Sequence, residues 1–212
     1  MATISGPASF SRVYAATRLQ LRQAALAPGT QILVNQLASA HRVSATPVRE
    51  ALAKLAGEKL VEDRERFGYF VPLLCSIDLV GLLELLELYV LRATVEGRKY
   101  ANDVGIARQH EIIPAGDDTE ARLMMRLASY SKNQLLIEEV RRCLDRSAFA
   151  RHRDTELFGA PEDLEQLRIT LEQKQWQFLG RIVRSHYRGT CKRADVVAHS
   201  MAAAYRENIA RK

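Results

Sequence analysis

The sequence predicts a mainly α protein: an N-terminal winged helix-turn-helix with a small β-hairpin wing, then an all-α helical bundle. Three observations carry that expectation. Residues 37–71, LASAHRVSATPVREALAKLAGEKLVEDRERFGYFV, set out a short helix, a tight turn, a second helix opened by Ser, Thr and Pro, and a hairpin. From Ser76 onward the chain reads as long helices rich in Leu, Glu and Arg. Between the two, Pro72 closes the wing and a boundary falls near 73–77, so the domains are expected at 1–75 and 76–212.

Residues 1–9 read as a mobile arm. Phe10 to Ala25 suit a first helix that packs Val13, Leu19 and Leu21 inward and is ended by Pro28-Gly29. Leu33, Leu37 and Ala38 recur on one face of a short helix ending near His41, and Val43 supplies an apolar plug for the turn. After it, Ser44 and Thr46 can each accept a backbone N–H, and Pro47 fits a first helical turn because its missing amide has no partner there. The second helix is therefore expected to begin between Ser44 and Pro47. Val48, Ala51, Leu52 and Leu55 form its inward stripe, which leaves Ala45, Thr46, Arg49, Glu50 and Lys54 on other faces. Leu60-Val61 and Tyr69-Phe70-Val71 read as strands joined by the charged run Glu62 to Arg66 with Gly68, placing Arg64 and Arg66 at the wing tip.

In the second part, Ser76 or Asp78 can cap a helix running from Leu79 to Tyr100. A turn-like segment, Asn102 to Gly116, precedes helices expected at 118–131, 133–152, 162–187 and 190–208. Arg92 and Glu96 stand four apart, the spacing of an ordinary helix-surface ion pair.

The charge is modestly basic: 31 Lys and Arg against 25 Asp and Glu, net +6, of which residues 1–75 with nine basic and five acidic side chains hold +4. Such an excess suits a nucleic-acid partner and equally suits plain solubility. No apolar run approaches the ~20 residues that span a bilayer, and the start lacks the pattern of a secretory signal, so a cytoplasmic protein with no membrane partner is expected. Cys75, Cys143 and Cys191 are odd in number and form no CxxC pair, so reduced, mostly buried thiols are expected rather than a disulfide framework or metal cluster.

The run Leu26-Ala27-Pro28-Gly29-Thr30, Asn35-Gln36-Leu37-Ala38, Val43 to Leu52, Leu55, Leu60-Val61 and Gly68 to Val71 closely resembles the DNA-binding domain of the GntR family of bacterial transcription regulators. The resemblance implies DNA contacts by Thr46 and Arg49. Chemistry and expected exposure add Asn35, Arg42, Arg64 and Arg66, and Ser44 and Gly68 complete the set. This chain departs from the family at Ala45, where an Arg is usual, and at Phe67, where a basic residue is frequent. The departure at Ala45 removes a side chain that reads a base edge, a contact worth ~1–3 kcal/mol of discrimination.

The second part more loosely resembles the helical effector and dimerisation domain of the FadR subgroup, through Asp78-Leu79, Leu82 to Leu85, Arg92, Glu96, Leu127-Ala128, Ser131, Asn133 and His186. That resemblance implies an effector pocket at Arg92, Glu120, Met124, Leu164 and His186. In many relatives the last four positions hold a metal through an Asp and three His. Here Met and Leu replace two ligands, so neither a metal nor another cofactor is expected. Met124, Met125, Leu127, Leu164, Leu167, Trp176 and Phe178 are expected as core before pocket.

The expected function is a sequence-specific transcription regulator, such as a repressor, that binds a near-palindromic operator in double-stranded DNA as a homodimer. A small-molecule metabolite acting on the helical domain is the expected control. The alternatives are a ligand-independent DNA-binding factor and a winged-helix protein-interaction module. An enzyme is not expected, since Glu120, His186 and Cys143 form no nucleophile–base pair and no phosphate loop is present.

Overall fold

The computed structural model describes residues 7–100 and 118–210. Its described residues form two compact units, one running to Leu74 and rejoined from Met201 onward, the other from Cys75 to Ser200.

The first unit holds α1 (Pro7–Arg22), β1 (Gln31–Ile32), α2 (Val34–His41), α3 (Ala45–Gly57), β2 (Glu62–Arg64) and β3 (Gly68–Phe70). Its core gathers Val13 and Leu21 of α1, Val43 of the turn, Val48, Ala51, Leu52 and Leu55 of α3, and Ile32, Leu60, Val61 and Val71 beside the sheet. Thr17 completes the inward row of α1 at i, i+4 spacing with Val13 and Leu21, which leaves Leu19 exposed instead of packed. Helix α1 begins at Pro7, so Pro7 to Ser9 are not an arm, and Ser9 is buried; residues 1–6 lie outside the described residues. It ends at Arg22, before Pro28-Gly29, where the chain turns through Ala24 at a positive φ of 52°. A further clamp joins α1 to α3: the Lys54 ammonium lies 4.5 Å from the Tyr14 ring centre and 5.7 Å from that of Phe10.

The sheet is antiparallel with order β1-β3-β2, pairing Gln31 with Phe70 and Arg64 with Gly68. Leu60 and Val61 are not strand residues. Both side chains are buried as anchors beneath the sheet, so the ladder starts at Glu62 and the turn contracts to Glu65–Phe67. Strand β1 has no counterpart in the sequence reading, because two residues are too few to show a period of two.

The second unit holds α4 (Ser76–Tyr100), α5 (Thr119–Ala128), α6 (Gln134–Phe158), α7 (Asp163–Glu172) and α8 (Trp176–Ala210), whose end from Met201 groups with the first unit. The expected turn at Asn102 to Gly116 lies outside the described residues. Asp118 caps α5 by accepting the Ala121 N–H, and Asn133 caps α6 by accepting those of Leu135 and Leu136. The helix expected at 162–187 is interrupted: α7 stops at Glu172 and Lys174 turns the chain at φ 53°. The break expected near 187–190 does not occur. Helix α8 runs through Gly189 because Tyr187, Thr190 and Ala194 bury one continuous face, which outweighs the ~1 kcal/mol a helical glycine costs. Gly97 admits the Trp176 indole against the α4 backbone, where a Cβ would collide with the ring.

Candidate functional site

Two surfaces carry the polar chemistry, one in each unit. In the first, α2 ends at Arg42, which takes a left-handed conformation at φ 53° while the N–H of Val43 closes onto Ala38. Buried Val43 holds that turn against the core, so α3 leaves it at a set angle. Pro47 and Val48 face inward on the first turn of α3, and the helical period then turns Thr46, Arg49 and Glu50 to solvent. Ser44 occupies the N-cap of α3, yet its hydroxyl makes no capping hydrogen bond, and no acidic residue stands in the first turn. The start of α3 therefore presents backbone N–H groups and a partial positive charge to solvent, the arrangement that accepts a phosphate oxygen.

Asn35 and Arg42 are exposed beside that helix start, and Ala45 is half-buried and places no basic group there. Among the described residues, the side chains of Asn35, Arg42, Thr46, Arg49 and Arg66 make no hydrogen bond or ion pair within the chain.

The wing differs from expectation at Arg64. It is the last residue of β2, with Nη2 2.7 Å from Glu62 Oε2 and its guanidinium 4.4 Å from the Phe70 ring centre, so it lies along the strand rather than at the tip. The tip is Glu65, Arg66 and Phe67. Arg66 has φ 67° and Gly68 φ 89°, which folds the turn so tightly that Phe67 is thrust outward, 71 % exposed. Its carbonyl is held by the Gln31 amide at 2.8 Å and its N–H by Arg64 O at 2.9 Å, so the exposed ring rides on a fixed backbone.

In the second unit, four of the five expected pocket residues are interior: Glu120 and Met124 on α5, Leu164 on α7 and His186 on α8. Arg92 does not join them. It is 63 % exposed, its Nε 3.1 Å from Glu96 Oε1, and Glu96 also accepts the Ser131 hydroxyl at 2.5 Å. Met124, Leu127 and Leu167 are fully buried core, whereas Phe178 is exposed.

His186 is more deeply enclosed than a polar surface residue. Nδ1 lies 2.9 Å from Asp163 Oδ1 and Nε2 3.3 Å from Glu120 Oε1, so the ring bridges α5, α7 and α8. Burial opposes its positive charge, but the bond to Asp163 and the proximity of Glu120 prevail and push its pKa up to about 9. Around it, the Tyr187 hydroxyl is buried with no hydrogen-bond partner among the described residues, and Glu120 Oε1 and His186 Nε2 are buried with only each other in reach. Arg151 is buried alongside, held by Asp118 Oδ2 at 2.6 Å, the Leu144 carbonyl at 2.8 Å and the Ser147 hydroxyl. Burial works against the Asp118 carboxylate too, yet Arg151 holds it below the usual range.

This donor set does not fit the metal of the resembling regulators. Met124 and Leu164 fill two ligand positions with apolar groups, and no cluster of three or more His, Cys, Asp or Glu with metal-binding spacing exists among the described residues. A cavity of about 10 Å³, room for one water, lies among Leu83, Ser147, Arg151, Asp154 and Thr190.

Sequence reasoning missed Asp163, Arg151 and Tyr187, which meet this cluster only through helix packing and carry no local signal. Of the cysteines, Cys143 is buried, which raises its thiol to about pKa 11 and keeps it protonated and unreactive, while Cys75 is exposed, contrary to expectation. No helix among the described residues is long and apolar enough to cross a membrane.

Residues 10–71 match the family model "Bacterial regulatory proteins, gntR family". An HTH-type transcriptional regulator in an unstable DNA locus of Streptomyces ambofaciens is 39% identical over 71 residues, 34% of this chain and 30% of that protein. The Nta operon transcriptional regulator of Aminobacter aminovorans is 29% identical over 135 residues, 58% of this chain and 64% of that protein. The chain thus spans less than two thirds of the length of either curated relative. Among solved structures, a GntR transcriptional regulator from Rhodococcus sp. RHA1 superposes with TM-score 0.71 at 17% identity, covering 88% of this chain and 97% of that one. E. coli McbR/YncC superposes with TM-score 0.58 at 17% identity, covering 98% and 100%. These likenesses establish the fold, a winged helix with a helical second part, and the Streptomyces, Aminobacter and Rhodococcus proteins are named as transcriptional regulators rather than enzymes.

Proposed function

Because residues 10–71 are a GntR-family DNA-binding helix-turn-helix domain, we propose that the whole chain is a transcription regulator that binds a near-palindromic operator as a homodimer. The observation that carries this reading is the start of α3, where exposed Thr46 and Arg49 stand beside uncapped backbone N–H groups on a helix anchored by Val48, Leu52 and Leu55. In this reading α3 enters the major groove, Arg49 and Thr46 reach base edges, and Ser44, Arg42 and Asn35 contact phosphates. Gly68 sets the wing turn. Arg66 and Phe67 meet the neighbouring groove, with Arg64 behind them. The helical unit, of FadR type in this proposal, pairs the chains and spaces the two reading heads.

A small metabolite is the proposed control, taken up beside Glu120, His186 and Tyr187, where the buried Tyr187 hydroxyl has no hydrogen-bond partner among the described residues. The tight packing of Met124, Leu127 and Leu167 favours the alternative, a ligand-independent DNA-binding factor, and thermal shifts against a metabolite panel separate the two.

The test of the DNA reading is selection of sites from a random duplex pool, then titration of the enriched site at fixed salt. An enriched inverted repeat is expected, and Arg49→Ala should weaken its binding by roughly tenfold, the scale of one base-edge contact. No enrichment, with weak binding that salt abolishes, would favour the winged-helix protein-interaction alternative.

A further inference from the structure

Among the described residues of the first unit, Phe67 is the most exposed large apolar side chain, at 71 % against 42 % for Leu19 and for Leu33. Its backbone is nevertheless fixed from both sides. The N–H donates to Arg64 O at 2.9 Å, and the carbonyl accepts the side-chain amide of Gln31, from β1, at 2.8 Å. Pairing of Arg64 with Gly68 leaves only Glu65, Arg66 and Phe67 in the turn, and Arg66 takes the left-handed φ of 67° that side chains with a Cβ resist. The neighbouring cation does not cover the ring, because the Arg64 guanidinium lies over Phe70 instead, 4.4 Å from its centre. The tip thus presents a bare ring on a rigid turn, with exposed Arg66 and Glu65 beside it. No packing within the unit calls for that ring, so its use lies outside the chain. An isolated ring between charged residues is too small a patch for a protein partner.

We infer that the Phe67 ring is a wedge that enters the minor groove of the bound duplex, edges between two base pairs at a pyrimidine–purine step and partly unstacks them. The inference rests on the DNA-binding reading above and adds a second way in which this chain reads sequence. The minor groove of B-form DNA is about 6 Å wide, too narrow for a two-stranded tip but open to the edge of one ring. Apolar wedges placed there unstack a step and kink the duplex toward the major groove. A wedge has to hold its place against stacked bases, and the two backbone hydrogen bonds behind Phe67 supply that support. Arg66 favours the approach, since the minor groove attracts a guanidinium. Glu65, the carboxylate of the same turn, opposes entry and has to face away from the duplex. TA and CA/TG steps unstack with least resistance, so the ring selects them without a hydrogen bond to any base. That selection supplements the few base readers, Thr46 and Arg49, at the start of α3.

Permanganate footprinting of the full chain on the duplex enriched from a random pool tests the wedge. Permanganate oxidises thymines that have lost their stacking, and each TA or CA/TG step holds one. A reactive thymine is expected beside the α3 contact in each half-site. Phe67→Ala should abolish that reactivity and weaken binding by about tenfold, the scale of one base–aromatic contact. Phe67→Leu, still an apolar wedge, should keep most of both. Replacing the step by a purine–pyrimidine step should weaken the parent by about fivefold or more and leave Phe67→Ala indifferent. Because that comparison is internal to each protein, a variant that merely misfolds does not mimic it. A tight, sequence-specific complex with no reactive thymine would overturn the wedge and leave the DNA reading standing. Reactivity that survives Phe67→Ala, or a step replacement that both proteins feel equally, would do the same. A pool that yields no enriched duplex would overturn both.

Discussion

Arg42 shows how one residue serves two demands in opposition. The turn after α2 needs a left-handed residue, a position glycine fills without cost, yet the chain places Arg there at φ 53°. The strain is of order 1 kcal/mol. Its persistence next to the start of α3 is what a phosphate contact would require. Arg42→Gly should therefore raise the stability of the chain by up to about 1 kcal/mol in urea titration while weakening operator binding several-fold. A variant both less stable and equally tight on DNA would sink that reading. Phe67 presents a related case at the wing tip, where a pinned turn exposes an aromatic ring at a position that is often basic in the resembling family.

At the scale of elements, the second unit is held by polar ties as well as by its leucines. His186 joins α5, α7 and α8, Arg151 joins α6 to the cap of α5, and Arg193 grips Asp154 with two bonds of 2.7 Å to join α8 to α6. The histidine stands between two carboxylates, where a charge on its ring offsets part of theirs. Its raised pKa makes the tie depend on pH. The folded state binds the proton more tightly than the unfolded chain, so the stabilisation is complete below about pH 6.5 and is lost as pH rises through about 9. The gap corresponds to roughly 3 kcal/mol. Thermal melts should thus show the parent losing stability between pH 7 and about 9.5 relative to His186→Gln, which lacks the titrating group. Parallel profiles for the two would remove the histidine from that role.

At the scale of the molecule, one reading head offers few base contacts. Ala45 supplies none of the usual Arg chemistry, so under the proposed function tight binding is expected from two heads on two half-sites rather than from one. If the proposed homodimer holds two such heads at one spacing, the distance between half-sites matters. Inserting about five base pairs between the half-sites turns one of them to the opposite side of the duplex, and binding should fall to the level of a single half-site. Restoring a full turn of about ten should recover some of it only if the link between head and bundle yields. Equal affinity for all three spacings in an electrophoretic titration would contradict a rigid pair.

The sequence by itself determined the fold class, the helix-turn-helix and the inward stripe of α3. Each depends on local rules: helical periodicity, a proline tolerated in a first turn, an apolar plug at Val43. The exposure of Thr46 and Arg49 followed from the same periodicity. What tertiary structure decided was every feature made by distant residues meeting. Strand β1 exists because Gln31 and Ile32 find β3, and Leu60 and Val61 became anchors because the space beneath the sheet needed filling. Helix α8 continues through Gly189 because its neighbours bury one face, while Lys174 ends a helix that periodicity alone would extend. The company of His186 was equally illegible, since Asp163 lies 23 residues away and Glu120 arrives on another helix. Local pattern says which face of an element is apolar, but only packing says what that face meets.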